Sequence, residues 1–64
     1  MEDYQQRVVV EKAELDEKLK NLRSFMHKGA YTSLSAVEQG LVIGQLVAMD
    51  NYSDVLARRI ELFE

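Results

Sequence analysis

The sequence predicts an all-α protein, an antiparallel two-helix hairpin that assembles into a homo-oligomeric helical bundle. Three observations carry this prediction. The chain of 64 residues contains no proline and has one plausible break, at residues 27–35. The stretches on either side of the break carry apolar residues at the three- and four-residue spacing of helices. The second stretch is also more apolar than one partner helix can cover, which predicts association.

Helix 1 is predicted over about residues 3–28. Its apolar stripe is interrupted by one polar residue, Lys12. The members of the stripe are Val8, Leu15, Leu19, Leu22 and Met26. The pairs Glu14–Lys18 and Asp16–Lys20 are each four residues apart, a spacing that suits ion pairs on the outer surface of a helix. In the run Val8-Val9-Val10, the three side chains cannot all face one partner.

The connection is predicted to be a loop over residues 29–35. Gly29 is placed to end helix 1 in a left-handed conformation, as glycine often does. His27 and Lys28 precede it and bring positive charge to the negative end of the helix dipole. Ser35 and Glu38 have the spacing of a capping box, which predicts that helix 2 begins near residue 36.

Helix 2 is predicted over about residues 36–63, antiparallel to helix 1 because the two lengths are similar and the connection is short. It has three apolar surfaces. One stripe, with Ser53 as its only polar member, contains Val42, Leu46, Met49, Leu56, Ile60 and Phe63. A second stripe contains Val37, Leu41, Ala48, Tyr52 and Val55, and Ile43 and Val47 add a third side. One hairpin partner covers only one such stripe.

Small residues lie on one line of helix 2, at Gly40, Gly44 and Ala48. They indicate either a close helix crossing in the assembly or a surface position that tolerates glycine. The sequence leaves both interpretations open.

The composition excludes several classes of protein. The chain is 47% hydrophobic, which is too apolar for a disordered protein. It has no cysteine and one histidine, so disulfides and zinc–thiolate sites are excluded. Its net charge of −3 argues against a DNA or RNA polymer as partner. The acidic N-terminus and the absence of a long apolar run predict one cytoplasmic domain, residues 1–64, that does not bind membranes.

The sequence contains no catalytic signature, and we expect neither a metal site nor a cofactor. His27 is the one side chain that titrates near neutrality, and its position predicts a cap for helix carbonyls. Glu14, Asp16 and Glu17 could suggest a metal site, but their spacing distributes them over two faces of the helix. We therefore expect no enzyme.

A ligand site is predicted at the open end of the hairpin. With a turn near residue 31, Arg7 lies opposite about residue 55. This register brings together Tyr4, Arg7, Tyr52, Arg58 and Arg59. Aromatic rings stack on bases and arginines bind phosphates bidentately, so the cluster suits a nucleotide. In the alternative interpretation the tyrosines pack in an interface, and the arginines pair with Asp3, Asp54 and Glu61.

A second candidate is the connection, whose backbone amides, hydroxyl and ammonium groups could hold a phosphate. Its residues are Lys28, Gly29, Ala30, Tyr31 and Thr32. An ordinary helix-ending turn explains the same residues.

Several runs of the sequence resemble a known family. They are the run of residues 3–9 (DYQQRVV), Glu11-Lys12, Glu14-Leu15, the run 34–38 (LSAVE), Gln45-Leu46, Met49, Tyr52-Ser53, Leu56 and Arg59-Ile60. The chain resembles, over nearly its whole length, the helical hairpin of phage anti-CBASS and anti-Thoeris sponge proteins.

The resemblance implies a non-enzymatic protein in the cytoplasm of a bacterial host. Such proteins sequester cyclic di- or trinucleotides, or cyclic ADP-ribose-type signals, and so deprive host effectors of their activator. They form homo-oligomers, commonly hexamers, with pockets between protomers. The matching ligand residues here would be Arg7, Lys12, residues 28–32, Arg59 and its neighbour Arg58.

Two other hypotheses remain open. A small phage inhibitor could bind a host defence or regulatory protein through the apolar stripe of helix 2, residues 42–63. A structural coiled-coil module without a ligand is the third possibility.

Overall fold

The computed structural model describes residues 1–63, which form three helices and no strand. α1 spans Asp3–Phe25, α2 is a single turn over Gly29–Thr32, and α3 spans Ala36–Glu61. The all-helical prediction is therefore confirmed. The last residue of the predicted domain, Glu64, lies outside the described residues. Within residues 1–63, no helix combines the length and hydropathy needed to cross a membrane.

The two long helices run antiparallel. Tyr4 near the start of α1 packs against Phe63, with ring centroids 5.9 Å apart. Further along α1, the Lys12 ammonium bonds to the Ser53 hydroxyl of α3. Contacts therefore move back along α3 as they advance along α1, which defines a hairpin. Its described residues measure 46 × 15 × 13 Å.

The register of the hairpin differs from the predicted one. The prediction put Arg7 opposite about residue 55. Interpolation between the Tyr4–Phe63 and Lys12–Ser53 contacts puts Arg7 level with about residue 59. The two contacts put the midpoint of the pairing at about residue 33 rather than 31, because residue 31 belongs to a helical turn that Gln39 holds against the start of α3.

The core lies between α1 and α3. Leu56 is fully buried. The other buried apolar residues are Val8, Leu15 and Leu19, and the side chains packed against them are Leu46, Met49, Ile60 and Phe63. Every α3 member of this core belongs to the stripe predicted over residues 42–63. Because α1 packs against most of that stripe, most of the surface that the inhibitor hypothesis named is already in contact within the chain.

The connection contains more structure than the predicted loop. α1 ends at Phe25 rather than at residue 28, and residues 29–32 form a helical turn. No residue of the described chain has a positive φ, so the prediction that Gly29 ends α1 in a left-handed conformation is wrong. The chain leaves α1 through Met26, which keeps a right-handed helical backbone, and Lys28 then adopts an extended conformation.

Gln39 holds this connection against α3. Its Nε2 donates to the carbonyl oxygens of Tyr31 at 3.1 Å, Leu34 at 3.2 Å and Thr32 at 3.4 Å. The ring of Tyr31 packs edge-on against Phe25, with centroids 5.9 Å apart. A side-chain amide and an aromatic pair thus fix the turn that sets the register.

The start of α3 follows the prediction. Ser35 is the N-cap, and its Oγ accepts a hydrogen bond of 3.1 Å from the backbone N–H of Glu38. This bond satisfies one of the unpaired donors of the first helical turn. The far end differs slightly, since α3 ends at Glu61 rather than at residue 63.

Candidate ligand-binding surfaces

The predicted ligand residues form three groups along the hairpin. The open end carries Tyr4, Arg7, Arg58 and Arg59, the middle carries Lys12, and the connection carries Lys28, Gly29, Ala30 and Thr32. Residues 36 to 59 of α3 alone span roughly 35 Å at the helical rise. The groups at the two ends therefore cannot contact one small ligand within a single chain.

An aromatic pair lies at the open end. The rings of Tyr4 and Phe63 meet edge to face, with an angle of 81° between their planes. Tyr4 remains 53% exposed, so part of its ring is free to stack. The sequence did not single out Phe63 as a site residue, because its proximity to Tyr4 depends on the register. Tyr52 is wrongly placed by the prediction, since roughly 16 Å of helix separates it from Phe63.

The arginines of the open end differ in their partners. Arg58 Nε lies 3.0 Å from Asp54 Oδ2, as the alternative interpretation expected. Both of these side chains are largely exposed, so the ion pair is weak. Arg7 and Arg59 are also exposed, and within residues 1–63 no carboxylate forms an ion pair with either. Their donors are therefore not used by an ion pair in this part of the chain.

A polar cluster, formed by Lys12, Asp16 and Ser53, joins the helices at mid-length. Lys12 Nζ donates to Asp16 Oδ2 at 2.7 Å and to Ser53 Oγ at 3.2 Å. The Ser53 hydroxyl in turn donates to Asp16 Oδ1 at 2.5 Å. Lys12 and Ser53 are the two polar interruptions of the facing apolar stripes, and here they contact each other. Within residues 1–63 neither of the predicted outer-surface pairs, Glu14–Lys18 and Asp16–Lys20, forms an ion pair, and Asp16 contacts α3 instead.

The polar cluster changes the pKa of Asp16 and uses hydrogen-bond donors of Lys12. The hydrogen bonds from Lys12 and then from Ser53 lower the pKa of the Asp16 carboxyl below its ordinary value of 3.8. An ammonium has three donors, and the cluster uses two of those of Lys12. A ligand could therefore reach Lys12 only through the remaining donor. Its predicted role in binding stays a prediction.

The connection is partly occupied by its own hydrogen bonds. Thr32 Oγ1 donates to the Gly29 carbonyl at 3.0 Å, and Ser33 Oγ donates to the same oxygen at 2.8 Å. The Thr32 hydroxyl would have to rotate before it could donate to a phosphate. Lys28 and Ala30 are exposed. The predicted role of this segment also stays a prediction.

The side chains that the sequence offered as a possible base or as metal ligands do not form one cluster in the described part of the chain. His27 is exposed at the end of α1, while Asp16 belongs to the polar cluster. Within residues 1–63 no three His, Cys, Asp or Glu side chains lie close enough together to hold a metal ion. The same part of the chain encloses no pocket.

The apolar side chains of α3 that do not face α1 are exposed, as the sequence predicted. They are Val37 (74% exposed), Leu41 (69%), Val47 (54%), Val55 (52%), Ile43 (48%) and Tyr52 (45%). Gly40 and Gly44 lie among them, and a Cβ at either position would meet no atom within 4 Å. Neither glycine is therefore needed for the packing of α3 on α1.

Comparison with known proteins gives two matches. The sequence profile of the Sequestin family matches residues 2–62. An uncharacterized 7.5 kDa protein from the denB-rIIB intergenic region of Enterobacteria phage T4 is 36% identical over 61 residues, which is 95% of each chain. No solved structure matches the chain significantly. The matched region includes both long helices, the connection and every predicted ligand residue.

Proposed function

The chain belongs to the Sequestin family, and from this premise we propose that it is a molecular sponge that binds a cyclic nucleotide signal without cleaving it. The family match and the phage T4 relative confirm the resemblance to phage sponge proteins that the sequence displays. The nature of the ligand and the absence of cleavage belong to the proposal.

The proposed ligand is a cyclic di- or trinucleotide, or a cyclic ADP-ribose-type molecule. The observation that carries this choice is the open end, where the half-exposed ring of Tyr4 lies on the same end of the hairpin as Arg7 and Arg59. An aromatic ring stacks on any base, and a guanidinium group binds a phosphate with two parallel hydrogen bonds. A chain with a net charge of −3 favours a small anion in a local cluster over a polymer.

The proposal also includes a homo-oligomer, with a hexamer as the first expectation, that acts in the cytoplasm of a bacterial host. It assigns no catalytic residue. Within one chain His27 lies at the connection, roughly 30 Å along α1 from Arg7, and so it cannot act as a base on a ligand held at the open end of its own chain.

Titration calorimetry tests the ligand directly. Purified protein is titrated with cyclic di- and trinucleotides and with cyclic ADP-ribose isomers, and we expect one class to bind at micromolar protein. The ligand recovered after denaturation should be intact by mass spectrometry. No heat with any of these compounds would refute the sponge, whereas a cleaved product would turn it into an enzyme.

Arg59→Ala should weaken the binding of the identified nucleotide at least tenfold and leave the oligomer intact. A charge-assisted hydrogen bond to phosphate contributes roughly 1.5–3 kcal/mol, and about 1.4 kcal/mol corresponds to a factor of ten. The matched control is Arg23→Ala, which removes an arginine that already pairs with Asp50 at 2.9 Å, far from the open end. Equal affinities of the two variants would remove Arg59 from the site.

A protein inhibitor is the second candidate, because α3 exposes apolar side chains that a host protein could cover. It would use the exposed apolar side chains of α3, such as Leu41 and Val55, rather than the stripe from Val42 to Phe63 that packs on α1. Light scattering separates the two candidates. A discrete homo-oligomer in the absence of any partner favours the sponge, and a monomer that gains mass only with a host protein favours the inhibitor.

A further inference from the structure

One side of α3 carries a symmetric pattern of residues. We call this side the outer face and define it by Val37, Leu41, Gly44, Ala48, Tyr52, Val55 and Arg59. Counted from Ala48, the members lie 4, 7 and 11 positions away in both directions along the chain. Steps of three and four residues keep all seven on one side of a helix. The spacing of the residues on the outer face is therefore the same in both chain directions.

The outer face is open in the single chain. Its large apolar members are 45–74% exposed, while Leu56, on the adjacent side of α3 that packs on α1, is fully buried. A Cβ at Gly44 would meet nothing within 4 Å. A helix with two apolar sides is typical of the interior of a bundle, in which a second neighbour covers the second side.

We propose that the outer face of α3 binds the outer face of a second copy of this chain, antiparallel, around a twofold axis at Ala48. A twofold axis requires a surface that is complementary to itself, and symmetric spacing about Ala48 meets that requirement. Leu41 then lies level with Val55 of the partner subunit. Gly44 lies level with the partner's Tyr52, so the smallest residue of one outer face is opposite the largest residue of the other.

Charge favours the antiparallel over the parallel arrangement. Glu38 lies beside the start of the outer face, and Arg59 lies at its end. In the antiparallel pair each Arg59 is about level with Glu38 of the partner subunit. In a parallel pair the two Glu38 side chains would be neighbours, and so would the two Arg59 side chains. Like charges in contact are unfavourable, and parallel helix dipoles would add to that cost.

The antiparallel pair also joins the two ends of the hairpin. Since Val37 of one copy is level with Arg59 of the other, the connection before α3 extends to the partner's open end. Residues 28–32 of one chain and Arg58–Arg59 of the other then lie at the same end of the pair. One chain alone separates these groups by most of its 46 Å length. The inference that they form one ligand site rests on the proposed function; the pairing itself does not.

Single-cysteine variants of the full chain test the pairing, because the protein has no cysteine of its own. Ala48→Cys should form a disulfide-linked dimer under mild oxidation, since each residue 48 faces its symmetry mate. Leu41→Cys alone should not, because the two copies of residue 41 lie roughly 21 Å apart along the axis. A disulfide needs Cα atoms within about 7 Å. A mixture of Leu41→Cys and Val55→Cys should link one chain of each kind.

The outcomes are distinct. A linked Leu41→Cys homodimer would show a parallel pair and overturn the proposal, as would no linked dimer of Ala48→Cys. Sedimentation of the unsubstituted protein is the independent measurement, and a monomer throughout at 100-fold varied concentration would also overturn it. All of these experiments omit nucleotide. A negative calorimetric titration would thus refute the sponge and leave the pairing unaffected. Nucleotide binding without a linked Ala48→Cys dimer would support the sponge and refute the pairing.

Discussion

The two long helices are of similar length but are covered to different degrees. α1 buries Val8, Leu15 and Leu19 on one side, and most of its remaining surface is charged or polar. α3 buries Leu56 on one side and exposes 69% or more of Leu41 and Val37 on others. α1 is thus a surface helix that one partner completes, whereas α3 carries apolar side chains on a further side that α1 does not cover.

Local helix propensity differs in the same direction. α3 contains Gly40 and Gly44 in its interior, and each costs roughly 1 kcal/mol relative to alanine. α1 contains no glycine between Asp3 and Phe25. α3 therefore depends more on packing than α1 does. Variants on the two sides of α3 test this difference.

The largest effect is expected from Leu56→Ala. Leu56 is the fully buried centre of the interface with α1, and such truncations cost about 2–5 kcal/mol. A chain of this size has roughly 3–10 kcal/mol of total stability, so the variant should lose a large share of it. Urea unfolding followed by circular dichroism measures the change in the free energy of unfolding.

Val55→Ala is the matched control for this variant. It lies next to Leu56 in the chain but is 52% exposed, so at monomeric concentrations the loss should be below about 1 kcal/mol. Similar losses for the two variants would show that α3 does not have an inner and an outer side.

Gly44→Ala should stabilise the monomer by about 1 kcal/mol. The added methyl group meets no atom of the chain, and the backbone is helical, so only the gain in helix propensity remains. Urea unfolding at low protein concentration measures this gain. Sedimentation at high concentration then distinguishes the two interpretations of the small residues, because a close crossing predicts weaker association. A less stable monomer would contradict the open environment of Gly44.

The apolar stripes show what sequence reasoning could predict. The spacing of Val42 to Phe63 identified the side of α3 that packs on α1, and Ser35 identified where that helix begins. The valine run also behaves as predicted, since Val8 is buried and Val10 is 45% exposed. Helical periodicity and capping are local properties, and a local sequence is enough to read them.

The register and the polar cluster could not be predicted in the same way. Register depends on how much chain the connection uses, and the hydrogen bonds of Gln39 that fix the connection span three different carbonyl groups. Lys12 and Ser53 each interrupt an apolar stripe, and that shared property was the available signal for their contact. Their partner Asp16 carries no such signal. Consequently the open end was predicted with Tyr52 and without Phe63.

Asp16→Asn should make the free energy of unfolding less dependent on pH under acidic conditions. Because the folded-state pKa of Asp16 lies below 3.8, its charged form stabilises the fold above pH 3.8, and this contribution is lost as the pH falls through the folded value. The side chain is 45% exposed, so the contribution is only about 1 kcal/mol. The free energy of unfolding of the variant should fall less steeply as the pH is lowered below about 4.

A matched variant controls for general charge effects. Glu14→Gln removes an acid of the outer surface of α1 that makes no ion pair within residues 1–63. Its stability should follow the same pH curve as the unsubstituted protein. If it changed the curve as much as Asp16→Asn does, the polar cluster would have no special role in joining the helices.

The smallest effect is expected from the ion pair between Arg23 and Asp50. It joins α1 to α3 as the polar cluster does, at 2.9 Å, but its side chains are 51% and 57% exposed. Exposed ion pairs contribute about 0.5 kcal/mol or less once side-chain entropy and screening are included. A double-mutant cycle with Arg23→Ala and Asp50→Ala measures the coupling energy, which should fall further in high salt. The same kind of cycle gives the coupling energy of the Lys12–Ser53 contact at mid-length. If the Arg23–Asp50 coupling were the larger of the two, the exposed charges near the connection would contribute more to joining the helices than the contacts around the buried Leu56.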